Sequence, residues 1–584
     1  LFPPRDGYPR EPIMVTVTAH GRGLGSKRGT VDPDDGPIAL IFGRAHGEGT
    51  VELRGDPFMP VAVSYPGVYI QEAPSAVHSI IGVSTSLTAF IGRALRGPVN
   101  IPTPISSPAD FNRIFGALWA SSTLGYAVQQ FFNNGGSQAL IVRVVNGAGA
   151  ATTTLANGGN GIGLVAASPG AWGANLTAVV TTSSSSTATN PLFNLTLTDA
   201  TSTPSTSEAY LNVSTDPANP KFLVQILAQQ SQLANATGSF PASPDVVAIP
   251  TPQTVSFTSG TPSDGTDIGD AQVLGGGLGS NQGIYALDQV PIFNLLVIPP
   301  YTRLPSTHPT DVGSATWNAA ILYAWSRHAF VIVDPPSSWT TAQEATEAAN
   351  MVANVLGSPK NPENAAIYFP YLLAPDQLMN NLISNFAPSG TIAGIFASTD
   401  AQRGVWKAPA GIAATLSGTS GLTAPGGTTP LALTDNDSAN LNPLGVNCLR
   451  NFPIFGNVVW GARTTDGADA RESQWKYIPI RRLALYIEQS LLQGTQWVVF
   501  EPNDTPLWAQ IRLNVGAFMQ TLFRQGAFQG STPQQAYFVL CDATTNPQSS
   551  IDLGIVNIVV GFAPLKPAEF VVITIQQIAG QLGT

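Results

Sequence analysis

A chain of 584 residues is long enough for three or four domains at roughly 100–200 residues each. It is 43% hydrophobic but only 11% charged, against roughly 25% in an ordinary soluble domain. That excludes a mostly disordered chain and points to a subunit whose surface meets other protein, while a net charge of −10 argues against a nucleic-acid surface built on clustered Lys and Arg.

Residues 1–58 show no sustained period, and ordered patterning starts only after Met59-Pro60, so this stretch is expected to be a leader outside the fold, either disordered or not part of the mature protein. Residues 61–65 alternate, Pro66-Gly67 turns and residues 68–71 extend again, which reads as short strands. A strand is predicted at 88–91. Ser107 as cap, Pro108 at the first position and Asp110 open a helix that Gly116 stops. A second helix spans 124–132, and a strand covers 138–145.

Residues 146–283 are rich in Ser, Thr, Gly, Asn and Pro, with alternating pieces at 193–197 and 245–249 and one helical stretch at 221–233; a β-rich inserted domain is predicted. From 284 to 375, strands at 293–298, 329–333 and 365–369 alternate with helices at 315–327 and 341–356. The latter opens on a Thr341–Glu344 capping box, and the alternation implies βαβ units. Loops fill 410–445. Helices follow at 481–492 and 506–524, then strands near 536–541 and 551–561, and a β-branched extended end at 569–577.

The fold class is therefore α/β (α+β) and multi-domain: a discontinuous α/β core with a mixed or parallel sheet, plus a β-rich insertion. The expected boundaries are a leader at 1–58, the first part of the core at 59–150, the insertion at 151–284, the second part of the core at 285–480 and a C-terminal subdomain at 481–584.

Enzyme chemistry finds no support. Gly275, Gly276, Gly277 and Gly279 fail the dinucleotide fingerprint at its last glycine. No phosphate-binding loop, zinc-protease motif or nucleophile elbow occurs, and His20, His46, His78, His308 and His328 have no ligand spacing. Asp334 follows a strand, where α/β enzymes place catalytic acids, but is expected to shape the Pro335-Pro336 loop. Asp435 and Asp437 resemble a calcium loop without its glycine or distal glutamate. Cys448 and Cys541 read as reduced core thiols. No catalytic, cofactor-binding or metal-ligating residue is expected, and no cofactor. No apolar run reaches the roughly 18 residues of a membrane span, and residues 13–15 are too short for a secretory segment, so a protein made and kept in a cytosol, without a signal peptide, is expected.

The run Tyr65-Pro66-Gly67-Val68-Tyr69-Ile70-Gln71-Glu72 resembles the opening of contractile tail sheath proteins of phages, R-type bacteriocins and extracellular contractile injection systems. Similar motifs follow in order: Gly97-Pro98, 131–136, 167–176, Ala286-Leu287-Asp288, Pro388-Ser389-Gly390, Ala393-Gly394, Asp400, 403–409, Arg481-Arg482, 497–503, Leu507-Trp508, Cys541-Asp542 and 564–570. The resemblance runs from Met59 to the end.

It implies a structural subunit. Many copies would polymerise as a helical cylinder around an inner tube and contract to drive it through an envelope. The implied partners are further copies of the chain, sister sheath proteins, an inner tube protein, and baseplate and tail terminator or cap proteins, with no direct nucleic acid and no membrane insertion. Terminal strands carrying Val61, Val63, Phe570, Val572, Ile573 and Ile575 would add to neighbours' sheets. Arg471, Lys476, Arg481 and Arg482 concentrate positive charge and are candidates for the tube contact, or else pair with internal carboxylates. The mature site would be a phage tail or a contractile particle. A non-contractile tube or capsid component is the alternative.

Overall fold

In the computed structural model, residues 13–19, 78–156, 162–187, 189–201, 205–238, 251–303, 311–349 and 352–572 are described. They fall into two units: one takes its residues from 1–82 and 490–563, the other from 83–489 and 564 onward.

The larger unit is built on an eight-stranded sheet. Its order is Gly456–Val459, Val446–Phe452, Ala365–Phe369, Phe330–Val333, Leu295–Val297, Thr88–Gly92, Ala139–Arg143 and Thr103–Ile105. The six inner strands run parallel, as the βαβ alternation predicts, and the two edge strands run antiparallel to them. Thr88–Gly92, Ala139–Arg143, Phe330–Val333 and Ala365–Phe369 are buried at every position, as strands covered on both faces must be. Trp317 and Ile321 of helix Ser314–Ser326 share one core with Leu296, Val331 and Ile367. On the other face, Phe115, Phe131 and Phe396 pack with Phe90, Ile141 and Ile332.

Local signals set the helices. Ser107 Oγ accepts from Asp110 N at 3.1 Å, and Gly116 ends helix Pro108–Phe115 at φ 87°. Thr341 Oγ1 accepts from Glu344 N at 3.0 Å while the Glu344 carboxylate takes Thr341 N at 3.1 Å, the reciprocal capping box. Helices Leu124–Asn133 and Ser389–Arg403 approach closely because Gly390 and Gly394 lack side chains. A Cβ on Gly390 would sit 2.3 Å from the Ala127 carbonyl oxygen, and one on Gly394 2.5 Å from that of Phe131.

The β-rich segment forms two four-stranded antiparallel sheets. One is ordered Ala234–Thr237, Ile162–Ala166, Gly149–Leu155 and Ser259–Ser263; the other Gln253–Ser256, Leu176–Thr182, Phe193–Asp199 and Thr206–Val213. Phe193, Leu195 and Leu197 point into a common core with Leu164, Leu176 and Phe257. The predicted strand at 245–249 lies outside the described residues. Ile268, Val273 and Ile284, on the insertion's side of or at the boundary expected at 284, are buried in the core of the parallel sheet.

In the smaller unit, helix Thr505–Arg524 buries Trp508, Ile511, Val515, Phe518, Met519 and Leu522, the face its spacing predicts. Strands Tyr537–Leu540 and Val556–Phe562 pair antiparallel. The expectation that all of 1–58 stands outside the fold is corrected in part. Ile13–Ala19 pairs antiparallel with the full length of Val556–Phe562, in register from Ile13–Phe562 to Ala19–Val556. A β-forming run saturates the backbone groups that this strand would otherwise expose along one edge. The boundary expected at 481 falls instead at Ser490, within helix Ile478–Gly494, so Arg481 and Arg482 belong to the larger unit.

Candidate assembly site

The predicted linker residues divide in two. Val61, Val63, Ile573 and Ile575 lie outside the described residues. Phe570 and Val572 are 76% and 88% exposed, and Val571 between them 80%, in neither helix nor strand. Three consecutive exposed apolar side chains form an apolar stretch of surface that is costly to leave in water.

Immediately before this run, Glu569 is held fast. Its carboxylate accepts from Arg463 Nε at 2.7 Å and Nη2 at 2.8 Å, from Asn442 Nδ2 at 2.7 Å and from the Tyr477 hydroxyl at 3.1 Å. Burial pushes the Glu569 carboxyl up, but the hydrogen bonds from Arg463 and Asn442 and the charge of Arg463 hold it below the usual range. Arg463 is 1% exposed. Its Nη1 also donates to the Asn442 carbonyl and to Asp469, both at 2.9 Å. Sequence reading noted Glu569 only as part of a motif and missed Arg463, 106 residues away. One signal was present: Glu569 is the only carboxylate after Asp552.

The four candidate cations also divide. Arg471 lies at the surface and pairs with Asp466 at 2.6 Å; Lys476 pairs with Asp469 at 2.6 Å. Arg481 and Arg482 are 5% and 3% exposed. Arg482 grips Asp400 with two bonds, of 2.9 and 2.6 Å, and donates to the Thr85 carbonyl at 2.9 Å. Arg481 donates to Asn364 Oδ1 at 2.9 Å, lies 3.6 Å from Glu488 and covers the Trp475 ring at 4.8 Å. Ile478, Ile480, Leu483 and Leu485 are buried around them, so this turn of helix faces the core and its charges take internal partners. A tube-facing role for Arg481 and Arg482 is corrected to internal pairing, the other role considered for them.

Residues in and around the noted motifs prove to be structural joints. Arg143, 1% exposed, donates to the carbonyls of Ala94, Gly97 and Pro169 at 2.9, 2.8 and 2.7 Å. It thereby ties the Gly97-Pro98 turn to the stretch 167–176. Arg96 forms an ion pair there with the fully buried Asp199. Asp288 accepts from the Tyr323 hydroxyl at 2.7 Å, and Asn503 Oδ1 from Trp508 Nε1 at 2.9 Å. Trp497 stacks on His78 with ring centroids 4.2 Å apart.

The residues weighed for chemistry have structural jobs too. Asp334 accepts from Ser389 N at 2.8 Å and Oγ at 2.6 Å, at the start of helix Ser389–Arg403. Burial pushes its carboxyl up to about 7 despite those bonds. Thr434 and Asp437 form the capping box of helix Asp435–Leu441, and Asp435 pairs with Arg450. Cys448 and Cys541 are free and buried, and burial pushes both thiols up to about 11. Among the described residues, no group of three or more His, Cys, Asp or Glu is placed to hold a metal, and no helix is long and apolar enough to cross a membrane.

Residues 470–578 match the phage tail sheath C-terminal domain. The tail sheath protein of Vibrio phage KVP40 is 27% identical over 182 residues, covering 31% of this chain and 24% of that protein. A putative prophage major tail sheath protein of Pseudomonas aeruginosa is 24% identical over 233 residues, covering 37% of this chain and 55% of that protein. The matches thus span about a quarter and about half of these two relatives. The helical sheath of the anti-feeding prophage, solved in its contracted state, shares the fold with a TM-score of 0.51 at 22% identity, over 88% of this chain and all of that one. Residues 470–578 are thus similar to the phage tail sheath C-terminal domain, and the chain shares the fold of the anti-feeding prophage sheath.

Proposed function

We propose that this chain is the structural subunit of a contractile sheath. Copies polymerise as a helical cylinder around an inner tube in a metastable extended state, and contraction drives the tube through a target envelope. The observation that carries this reading is the match of residues 470–578 to the phage tail sheath C-terminal domain. The low charge and the structural employment of Asp334, Cys448 and Cys541 support a role without catalysis or cofactor.

Copies are linked through terminal strands around Val61 and Val63 and around Phe570, Val572, Ile573 and Ile575. The exposed apolar run at 570–572 supports this, because strand addition to a neighbour's sheet covers such a run and pairs its backbone. The β-rich segment is the outward-facing insertion. Contact with the tube falls to Arg471, which lies at the surface, and to the half-buried Lys476. Baseplate and terminator proteins close the two ends. The particle is assembled in the cytoplasm and works in a phage tail or a contractile particle.

Co-expression with the tube protein tests the reading by negative-stain microscopy. Hollow cylinders on the tube, which become shorter and wider on triggering, are expected. Cylinders that never change length would leave only a non-contractile structural role.

A further inference from the structure

We infer that Glu569 is the mechanical anchor of the C-terminal arm. Tension applied to residues 570–584 by a neighbouring copy enters the molecule through the Glu569–Arg463 pair and passes into the parallel sheet. The inference rests on the reading of the arm as a linker between copies.

The contacts favour this route over the alternative. The Glu569 carboxylate meets Arg463 with two bonds, of 2.7 and 2.8 Å, so a pull loads both together. Arg463 in turn is held by its backbone. Its N–H donates to Asn447 Oδ1 at 2.7 Å, and its carbonyl accepts from Asn447 Nδ2 at 2.7 Å. Asn447 lies in strand Val446–Phe452, and its Nδ2 also reaches the carbonyl of Ile367 at 3.1 Å in the neighbouring strand Ala365–Phe369. Force entering at Glu569 is therefore shared by two strands of the eight-stranded sheet.

Without this stop, the pull would reach Ala563 and the end of strand Val556–Phe562. The fold does not need Glu569 to neutralise Arg463, because Asp469 is already 2.9 Å from the guanidinium and the Asn442 carbonyl accepts at 2.9 Å. Glu569 thus adds attachment where the arm begins.

The test uses the full chain co-expressed with its tube protein, comparing the parent, E569A, E569Q and a deletion of 570–584. E569A is expected to fold and to melt near the parent temperature, but to give roughly tenfold more broken cylinders after triggered contraction, with E569Q in between. The deletion is expected to abolish cylinders. Parental integrity of contracted E569A cylinders, together with loss of assembly in the deletion, would overturn the anchor and leave the linker reading intact. Should E569A aggregate, E569Q decides, and parental breakage in it overturns the anchor. Intact contracting cylinders from the deletion would remove the linker reading and the anchor with it.

Discussion

The start of helix Ile478–Gly494 and the arm at 570–572 invert the usual arrangement in opposite ways. In the helix, two arginines point inward and are almost fully buried; in the arm, Phe570, Val571 and Val572 point into solvent. Buried charge is tolerated where partners are fixed by the fold, as Asp400 is for Arg482 and Glu488 for Arg481. Exposed apolar surface is tolerated where another chain will cover it. The first inversion therefore serves the folded subunit, and the second is the surface that the proposed link between copies would use. Mutations at the two places should separate stability from polymerisation.

The largest effect on stability is expected for Arg482→Ala. It leaves Asp400 buried and unpaired, at a cost of about 3–5 kcal/mol read by urea denaturation. Replacing both partners by Leu should recover most of that loss. A small effect of Arg482→Ala alone would mean that the pair is open to solvent and would return Arg482 to the list of tube contacts.

Asp334 extends the comparison to a buried acid whose bonded partner is a neutral serine. Its carboxyl sits at about 7 when folded, against an ordinary 3.8, because burial disfavours the charged form. The folded state thus holds the proton more tightly than the unfolded one. The stability this contributes is full below the ordinary value and is lost as pH rises through about 7. The parent should melt lower at pH 8 than at pH 5, and Asp334→Asn should reduce that difference. An unchanged difference would show that the carboxyl is ionised throughout.

Deleting residues 570–584 should move stability by no more than about 0.5 kcal/mol, since the described side chains it removes are exposed, yet abolish cylinders. Comparable losses of melting temperature and of assembly would erase the distinction between the two regions. The smallest effect is expected for Arg471→Ala. Its exposed pair with Asp466 should be worth at most about 0.5–1 kcal/mol. If Arg471 faces the tube, the substitution should also lower the salt concentration at which sheaths dissociate.

Much of the fold was legible because its causes are local. The cap at Ser107, the box at Thr341–Glu344, the period of helix Thr505–Arg524 and the fully apolar strands each follow from neighbouring residues, and their alternation implies a parallel sheet. The exposed arm was legible too, since a β-branched run at 569–577 shows in the sequence itself. The assignments that failed depended on distant partners. Adjacent arginines at 481 and 482 look like a surface patch until Asp400 and Asn364 are brought to them across about 80 and 120 residues. No local signal pairs Ile13–Ala19 with a strand that begins more than 500 residues later.

By itself, then, the sequence determined the elements, the α/β character, the lack of catalytic motifs and the apolar arm, because propensity, period and capping act over a few residues. Only the tertiary structure decided which charges are buried, where the β-rich segment ends and what secures the root of the arm. Those depend on long-range pairs such as Arg463–Glu569 and Arg96–Asp199, whose partners meet only once the sheets have closed over them.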